Sequence, residues 1–578
     1  MTRHQRRLRS VIPLCCLLLM PTLAQAQPRP EPLPIPVRER DSLPPSGPQS
    51  AAPSGDPLAR PLTPPPPDGE VVSEVPIVPA SATPDPALGF AGPSRVRNRS
   101  GSNDEYDTVE DRWRLGLPAW DRYDKGHPQG FDYPFALGRW FDPYTQHLLK
   151  GDYPIYGQHT FLNLSGSATW LFEGRGIPTA AAPPLASTPK PVQADFFSRS
   201  GQFVHSELYS FSFDLFHGDA GFKPADWRVR VTPAVGVNAL NVQQVRVVSP
   251  DPARGTSLAL AAVALQEWFG EYKLAELDSQ YDFLSVRAGA QPFTSDFRGF
   301  VYSDVNRGVR LFGNADGNRT QYNLLYMRQL DKDSATGLNT FNDRDQNVVI
   351  ANVYRQDFLV PGYFASASFH YNNDGPDVRF ARNGALVRPD PVGARQPHRV
   401  EAYYLGFAGD GHLDDLSVSH AFYWVLGRDS FNPLANRPQT VSAQMAALEL
   451  SYTRDWARFR TSGFWASGDG NAADGRATGF DGILDNTNFA GPFSFWRRQR
   501  IPLFGVGLPN DQSLYPDLRS SRGQGQSNFV NPGLWLVNLG VDVDVTPKVR
   551  LVNNASYLWF DKTNPLETLT RQPRRKKD

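Results

Sequence analysis

After residue 26 no apolar run approaches the roughly 18 residues a membrane-crossing helix needs, yet segment after segment alternates apolar with polar side chains. A period of two belongs to a strand whose two faces meet different media. Between residues 535 and 545, Trp535, Val537, Leu539, Val541, Val543 and Val545 share one face, and Leu536, Asn538, Gly540, Asp542 and Asp544 share the other. One such strand would suit a soluble sandwich equally well. Many of them, behind an export signal, predict an all-β fold: an antiparallel transmembrane β-barrel of roughly 14–18 strands.

The export signal is legible at the start. Arg3, Arg6, Arg7 and Arg9 precede an apolar run over 11–23, and Ala24-Gln25-Ala26 offers the small residues a signal peptidase requires, so 1–26 reads as a signal peptide and Gln27 as the mature start. The only cysteines, Cys15 and Cys16, lie inside it. Thiolate metal sites, disulfides and cysteine nucleophiles are therefore excluded from the mature chain. Without the four signal arginines the charges stand at 55 basic against 59 acidic, which disfavours nucleic acid as a partner.

Residues 27–103 are dense in Pro, Ala and Ser and nearly free of aromatics, a composition that cannot bury a core and reads as a disordered Pro-rich tether, either an unconstrained spacer or a dock for cell wall or a periplasmic partner. Residues 104–153 turn aromatic and charged without clear periodicity and form a pre-barrel segment; 154–560 carry the barrel. Strands are expected at 160–172, 207–216, 227–237, 258–274, 281–291, 321–330, 347–358, 363–371, 400–408, 416–426, 445–452, 456–467, 534–545 and 549–560, with a weaker one at 308–312. Phe560 would suit the closing aromatic of a last strand, but 561–578 follow as a basic tail or a truncated end.

Connection lengths support the same architecture, because outer-membrane barrels alternate tight turns with long loops. Tight turns are expected at 411–415, 452–456 and 545–549, and long links at 178–198, 248–257, 372–397 and 468–532. Trp227, Tyr281, Phe283, Tyr363, Trp424, Trp456, Trp559 and Phe560 cluster near strand ends, where interfacial girdles or simple core packing would place them.

No local catalytic motif is present: G-x-S-x-G, H-E-x-x-H, the Walker loop and G-x-G-x-x-G are all missing. A glycosidase pair such as Asp469 and Asp481 has no support from spacing alone. The mature histidines are scattered, His412 and His420 being the nearest loop-strand pair. Asp469, Asn471 and Asp474 resemble a calcium loop without its terminal glutamate, and an ordinary exposed turn selects the same residues; no cofactor is expected.

Lumenal charge is more informative. Arg228 and Arg230 alternate with Trp227, Val229 and Val231; Arg287 alternates with Val286 and Ala288; Arg458 and Arg460 flank Phe459. A charge facing lipid near the midplane costs roughly 2–4 kcal/mol, so all five arginines are expected inside. There they either line an anion-selective pore or pair with inward acids such as Glu267, Glu271, Asp542 and Asp544 and brace the interior.

Trp465-Ala466-Ser467-Gly468-Asp469, followed by Ala473-Asp474-Gly475 and Gly479-Phe480-Asp481, resembles the strand-end and loop motif of the alginate export family of outer-membrane porins; Phe312-Gly313-Asn314 and the stretch 444–450 fit the same kind of barrel. The resemblance implies a monomeric barrel of about 18 strands with an arginine-lined pore for an anionic polysaccharide. The long Pro-rich leader departs from that pattern. The expectation is a non-enzymatic channel in the bacterial outer membrane, in contact with its lipid, holding a water-filled lumen whose mouth the long loops narrow and passing anionic solutes or exporting an anionic polysaccharide. A secreted polysaccharide-acting enzyme and a non-conducting surface barrel are the alternatives.

Overall fold

A computed structural model describes residues 149–570, except 152–153, 158, 176–200, 219–223, 244–247, 279–280, 391–392, 455, 492–517, 520–522 and 547. The signal peptide, the tether, most of the pre-barrel segment and the final basic residues lie outside the described part.

All fifteen strands expected from alternation are present and pair in chain order. The first five are β1 (Thr160–Arg175), β2 (Gln202–His217), β3 (Trp227–Val242), β4 (Ser257–Glu276) and β5 (Phe283–Thr294). Next come β6 (Ser303–Ala315), β7 (Thr320–Lys332), β8 (Asn339–Arg355) and β9 (Tyr363–Asp374); then, past a small hairpin of β10 (Arg379–Phe380) and β11 (Leu386–Arg388), β12 (Val400–Leu413) pairs with β9. β13 (Leu416–Asn432), β14 (Arg437–Arg454), β15 (Ala457–Ala466), β17 (Leu534–Thr546) and β18 (Val549–Trp559) complete the path, and the short β16 (Arg476–Ala477) joins β14 in parallel, making a sheet of 16 strands. A short helix, α1 (Asn564–Thr570), follows.

Most tight turns lie at one rim, although the four-residue β13–β14 link, 433–436, lies at the other. Leu413 faces Leu416 across a two-residue turn in which Asp414 takes φ +54°, a conformation Asx side chains tolerate. Links 316–319 and 356–362 belong to the same rim, whereas 243–256, 375–399 and 467–533 lie at the other. Residues 560–570 dock at that second rim: Asp561 accepts from Gly468 N at 2.9 Å and from Trp535 Nε1 at 2.8 Å, and Leu566 is buried.

The alternation sorts the faces as expected. In β17, Trp535, Val537, Leu539 and Val541 are exposed while Leu536, Asn538, Gly540 and Asp542 are buried. In β3, Val229, Val231 and Val235 point out while Arg228, Arg230 and Thr232 point in. The outward apolar surface suits hydrocarbon, and rings stack at its margins: Trp535 lies 5.8 Å from Trp465 and 5.8 Å from Trp559 at one rim, and Trp227 lies 5.8 Å from His217 at the other. Neither free edge is paired along its length among the described residues; β1 is met by Lys150 opposite Asn163 and by Leu149, whose carbonyl accepts from Leu164 N at 2.7 Å.

The inner face departs from one expectation. It is not wet throughout: on β12–β15 it carries Ala402, Tyr404, Tyr423, Val425, Ala443, Met445 and Phe464, all buried beneath loops that fold inward. Those loops bring their own apolar side chains, and the two sets remove each other from water.

Two outcomes test this two-sided wall. The folded protein should migrate faster than its boiled form on a detergent gel; identical mobility would argue against a barrel. Leu539→Arg, placed on the lipid face, should cost about 2–4 kcal/mol in urea unfolding from lipid vesicles; an unchanged midpoint would take Leu539 out of lipid.

Candidate functional site

The inner wall of β2–β5 is built as a ladder of alternating charge, continued on β6–β8 by an arginine and two amides. Asp214 on β2 accepts from Arg230 Nη2 at 2.5 Å and lies 3.3 Å from Arg228 Nε; Arg230 also lies 3.7 Å from Glu267 on β4. Arg287 on β5 sits opposite Glu271 and donates to it twice, from Nη2 at 2.5 Å and Nε at 2.9 Å. Arg310 on β6 sits opposite Arg287 and gives Nε and Nη2 to one oxygen of Asn323, whose amide passes on to Asn352 at 2.9 Å. Rings separate the guanidiniums: Arg287 stands 4.5 Å from the Phe269 centroid and 5.2 Å from Phe312, and Arg310 4.4 Å from Phe312 and 5.1 Å from Phe293.

Across the lumen, Arg460 bonds Asp542 at 2.7 Å and Arg458 reaches Ser451 Oγ at 3.1 Å. Asp544, near the tight turn, pairs instead with Arg550 at 2.5 Å. All five arginines singled out in the sequence thus lie on the inner face. Four carry a carboxylate partner and Arg458 a hydroxyl. Arg310 was missed because β6 contains Gly308 and Gly313, which blur its alternation. Both glycines approach the neighbouring strand so closely that a Cβ would strike a backbone carbonyl oxygen, of Tyr326 and of Phe283.

The β5–β6 link, 295–302, turns into the lumen instead of over it. Asp296 gathers the backbone N–H groups of Arg298, Gly299 and Phe300 and accepts from Tyr423 Oη at 2.8 Å. Arg298 then reaches β12–β14, donating to Ser419 Oγ at 3.0 Å and lying 3.4 Å from Asp410 and 3.5 Å from Glu449. Gly406 leaves room for the Tyr423 ring, which would collide with any Cβ there. Phe300, Val301, Phe480, Ile483, Leu484 and Phe489 fill the space between this loop and the long β15–β17 link.

That long link also throws a strap toward β7–β12. Arg519 Nε bonds Asp481 at 2.5 Å, both fully buried. Gln524 donates to Lys332 O; Arg388 returns Nε to Gln524 O at 2.6 Å and clasps Asp374 at 2.7 and 2.9 Å. Gln526 donates to His398 O at 3.0 Å, and Arg344 to Gly525 O at 2.7 Å. Asp481 is thus a structural anchor neutralised by arginine, with no geometry of an acid-base pair. None of these partners has a local sequence signal.

Asp469, Asn471 and Asp474 spend oxygens on the turn itself, accepting from the N–H groups of Asn471, Ala473 and Arg476 at 3.4, 3.2 and 2.8 Å. Among the described residues no group of three His, Cys, Asp or Glu could hold a metal. His412 bonds Ser417 and His420 bonds Tyr363, at 3.0 and 2.5 Å, so they form no common site.

No known family profile and no curated protein matches the chain by sequence. Among solved structures it is similar to Pseudomonas putida OprB, at 10% identity and TM-score 0.33, covering 69% of this chain and 89% of that one. Pseudomonas aeruginosa OccK7 gives 12% identity and TM-score 0.34, covering 70% and 83%; Vibrio cholerae OmpT gives 9% and 0.22, covering 57% and 95%. At these scores the likenesses carry no weight of their own. The class, an antiparallel outer-membrane-type β-barrel protein, is defined by the strand order, the two-faced wall and the rim turns described above.

Breaking the Arg519–Asp481 anchor with Arg519→Ala should cost about 3–5 kcal/mol, because it strands a buried carboxylate; limited proteolysis should then cut within 479–531, and an intact loop would contradict the anchoring role. Burial raises the Asp469 carboxyl to about 6. A raised carboxylate favours the folded loop fully below the ordinary pKa near 4, and that contribution is lost as pH climbs through about 6. Protease resistance of the 467–478 turn should fall from pH 4 to pH 7, and Asp469→Asn should flatten the profile.

Proposed function

We propose that the chain is an outer-membrane channel, embedded through its apolar belt, that passes small anionic solutes along the charged half of its lumen. The observation that carries this reading is the division of the inner wall: β2–β5 hold Arg228, Arg230 and Arg287 against Asp214, Glu267 and Glu271, while much of β12–β15 is sealed by inward loops. Concentrated guanidinium on a water-facing wall attracts anions. Small solutes fit better than a polysaccharide chain, since 295–302 and 523–531 are tied across the lumen by Arg298, Arg344 and Arg388. No chemical step is part of this reading.

Planar-bilayer recording tests it. The purified mature protein should conduct, with a reversal potential in a salt gradient that favours anions. Replacing Arg228, Arg230 and Arg287 by Ala removes three cations and bares Asp214, Glu267 and Glu271, so the preference should swing toward cations. An unmoved reversal potential in a conducting triple variant would reject the lumenal path along β2–β5. Absence of conductance in wild type would leave the non-conducting barrel as the better reading.

A further inference from the structure

The charged ladder does not balance at β6. Asp214 and Glu267 face Arg228 and Arg230, two charges against two, and Glu271 is engaged twice by Arg287. Arg310 has only the neutral amide oxygen of Asn323, although just 7% of the residue is exposed. Its cross-strand partner is Arg287, a like charge. The carboxylate that acts on Arg310 is Glu271, already engaged twice by Arg287. The other neighbours of Arg310 are uncharged: Phe293, Phe312, and through Asn323 the amide of Asn352 and the Tyr354 hydroxyl, both of which donate to Ser295 O. Asp296, the carboxylate of the adjacent loop, is turned away onto Tyr423 and its own backbone N–H groups.

A guanidinium taken out of water without a counter-charge of its own costs several kcal/mol, and a like charge directly across two strands adds to that. Ring faces and the shared Glu271 recover part of this, but one carboxylate stands against two guanidiniums. Two N–H bonds on Arg310 Nη1 have no acceptor on the protein among the described residues, whereas Nε and Nη2 are both committed to Asn323. The missing member of the ladder is one negative charge.

We propose that Arg310, backed by Arg287, holds one resident halide-sized monoanion through Nη1, a counter-ion site in the barrel wall distinct from the solute path. The anion completes the ladder Asp214, Arg230, Glu271, Arg287, anion. It also makes folding of the β5–β7 wall depend on small anions, because a ligand that binds only the folded state stabilises it.

The test uses the full mature protein in detergent. Exchanging gluconate for chloride at constant ionic strength should raise the melting temperature by on the order of a few degrees and saturate. Arg310→Gln should abolish that response, Arg230→Gln, whose neighbours include Asp214, should retain it, and Glu271→Gln should shift it to lower chloride by leaving two guanidiniums for one anion. Crystals grown in bromide should show anomalous density within hydrogen-bond distance of Arg310 Nη1. Equal chloride responses in wild type and Arg310→Gln, or no bromide there, would overturn the site; should Arg310→Gln fail to fold, the Glu271→Gln shift and the bromide density decide it. Conductance does not enter, so this site and the channel reading stand or fall separately.

Discussion

A backbone N–H or C=O left unpaired in hydrocarbon costs several kcal/mol, and the architecture of this chain follows from avoiding that cost. With no helix among the described residues long and apolar enough to cross, the polar backbone is satisfied strand to strand along fifteen consecutive antiparallel neighbours. Once pairing is set, the period of two has only one acceptable register, since a slip of one residue would turn Arg228, Arg230 and Arg287 into lipid.

The interior solves a second problem by two different means. On β2–β5 the inward charges remain and are compensated locally, carboxylate against guanidinium. On β12–β15 part of the inner face is apolar or tyrosine, beside polar groups such as Asp410, Glu449 and Arg460, and water is removed from the apolar part by loops bearing Phe300, Phe480 and Phe489. The loops bring polar backbone with them, so arginines and glutamines must satisfy their carbonyls: Arg344 and Arg388 serve Gly525 and Gln524, and Gln526 serves His398. The same residue type thus acts in two ways here, as a lumenal charge on one wall and as a carbonyl-binding fork on the other.

This division bears on transport. In the channel proposed above, a lumen packed like a core on one side and charged on the other gives a path set by electrostatics more than by width. It also explains why the aromatic and tyrosine-rich inner residues are no solute slide: Tyr302, Tyr354, Tyr404 and Tyr423 are wholly buried against loops.

How much of this was legible beforehand depends on the range of each interaction. Alternation is a property of neighbours two residues apart, so the strand positions, the outward face of Leu539 and the inward face of Arg460 could all be read from the chain; β6 was faint because Gly308 and Gly313 interrupt the pattern, and with it went Arg310. Alternation likewise placed Arg228, Arg230, Arg287, Arg458 and Arg460 inside, but not which of them are neutralised. That was decided only in three dimensions, by register between strands, which sets Glu271 beside Arg287 and leaves Arg310 beside another cation. The loop contacts span still longer distances, as between Gln524 and Lys332, 192 residues apart. Sequence by itself determined a two-faced strand wall, because local periodicity encodes it; the tertiary structure decided what fills that wall, because filling depends on which remote surfaces come to lie opposite one another.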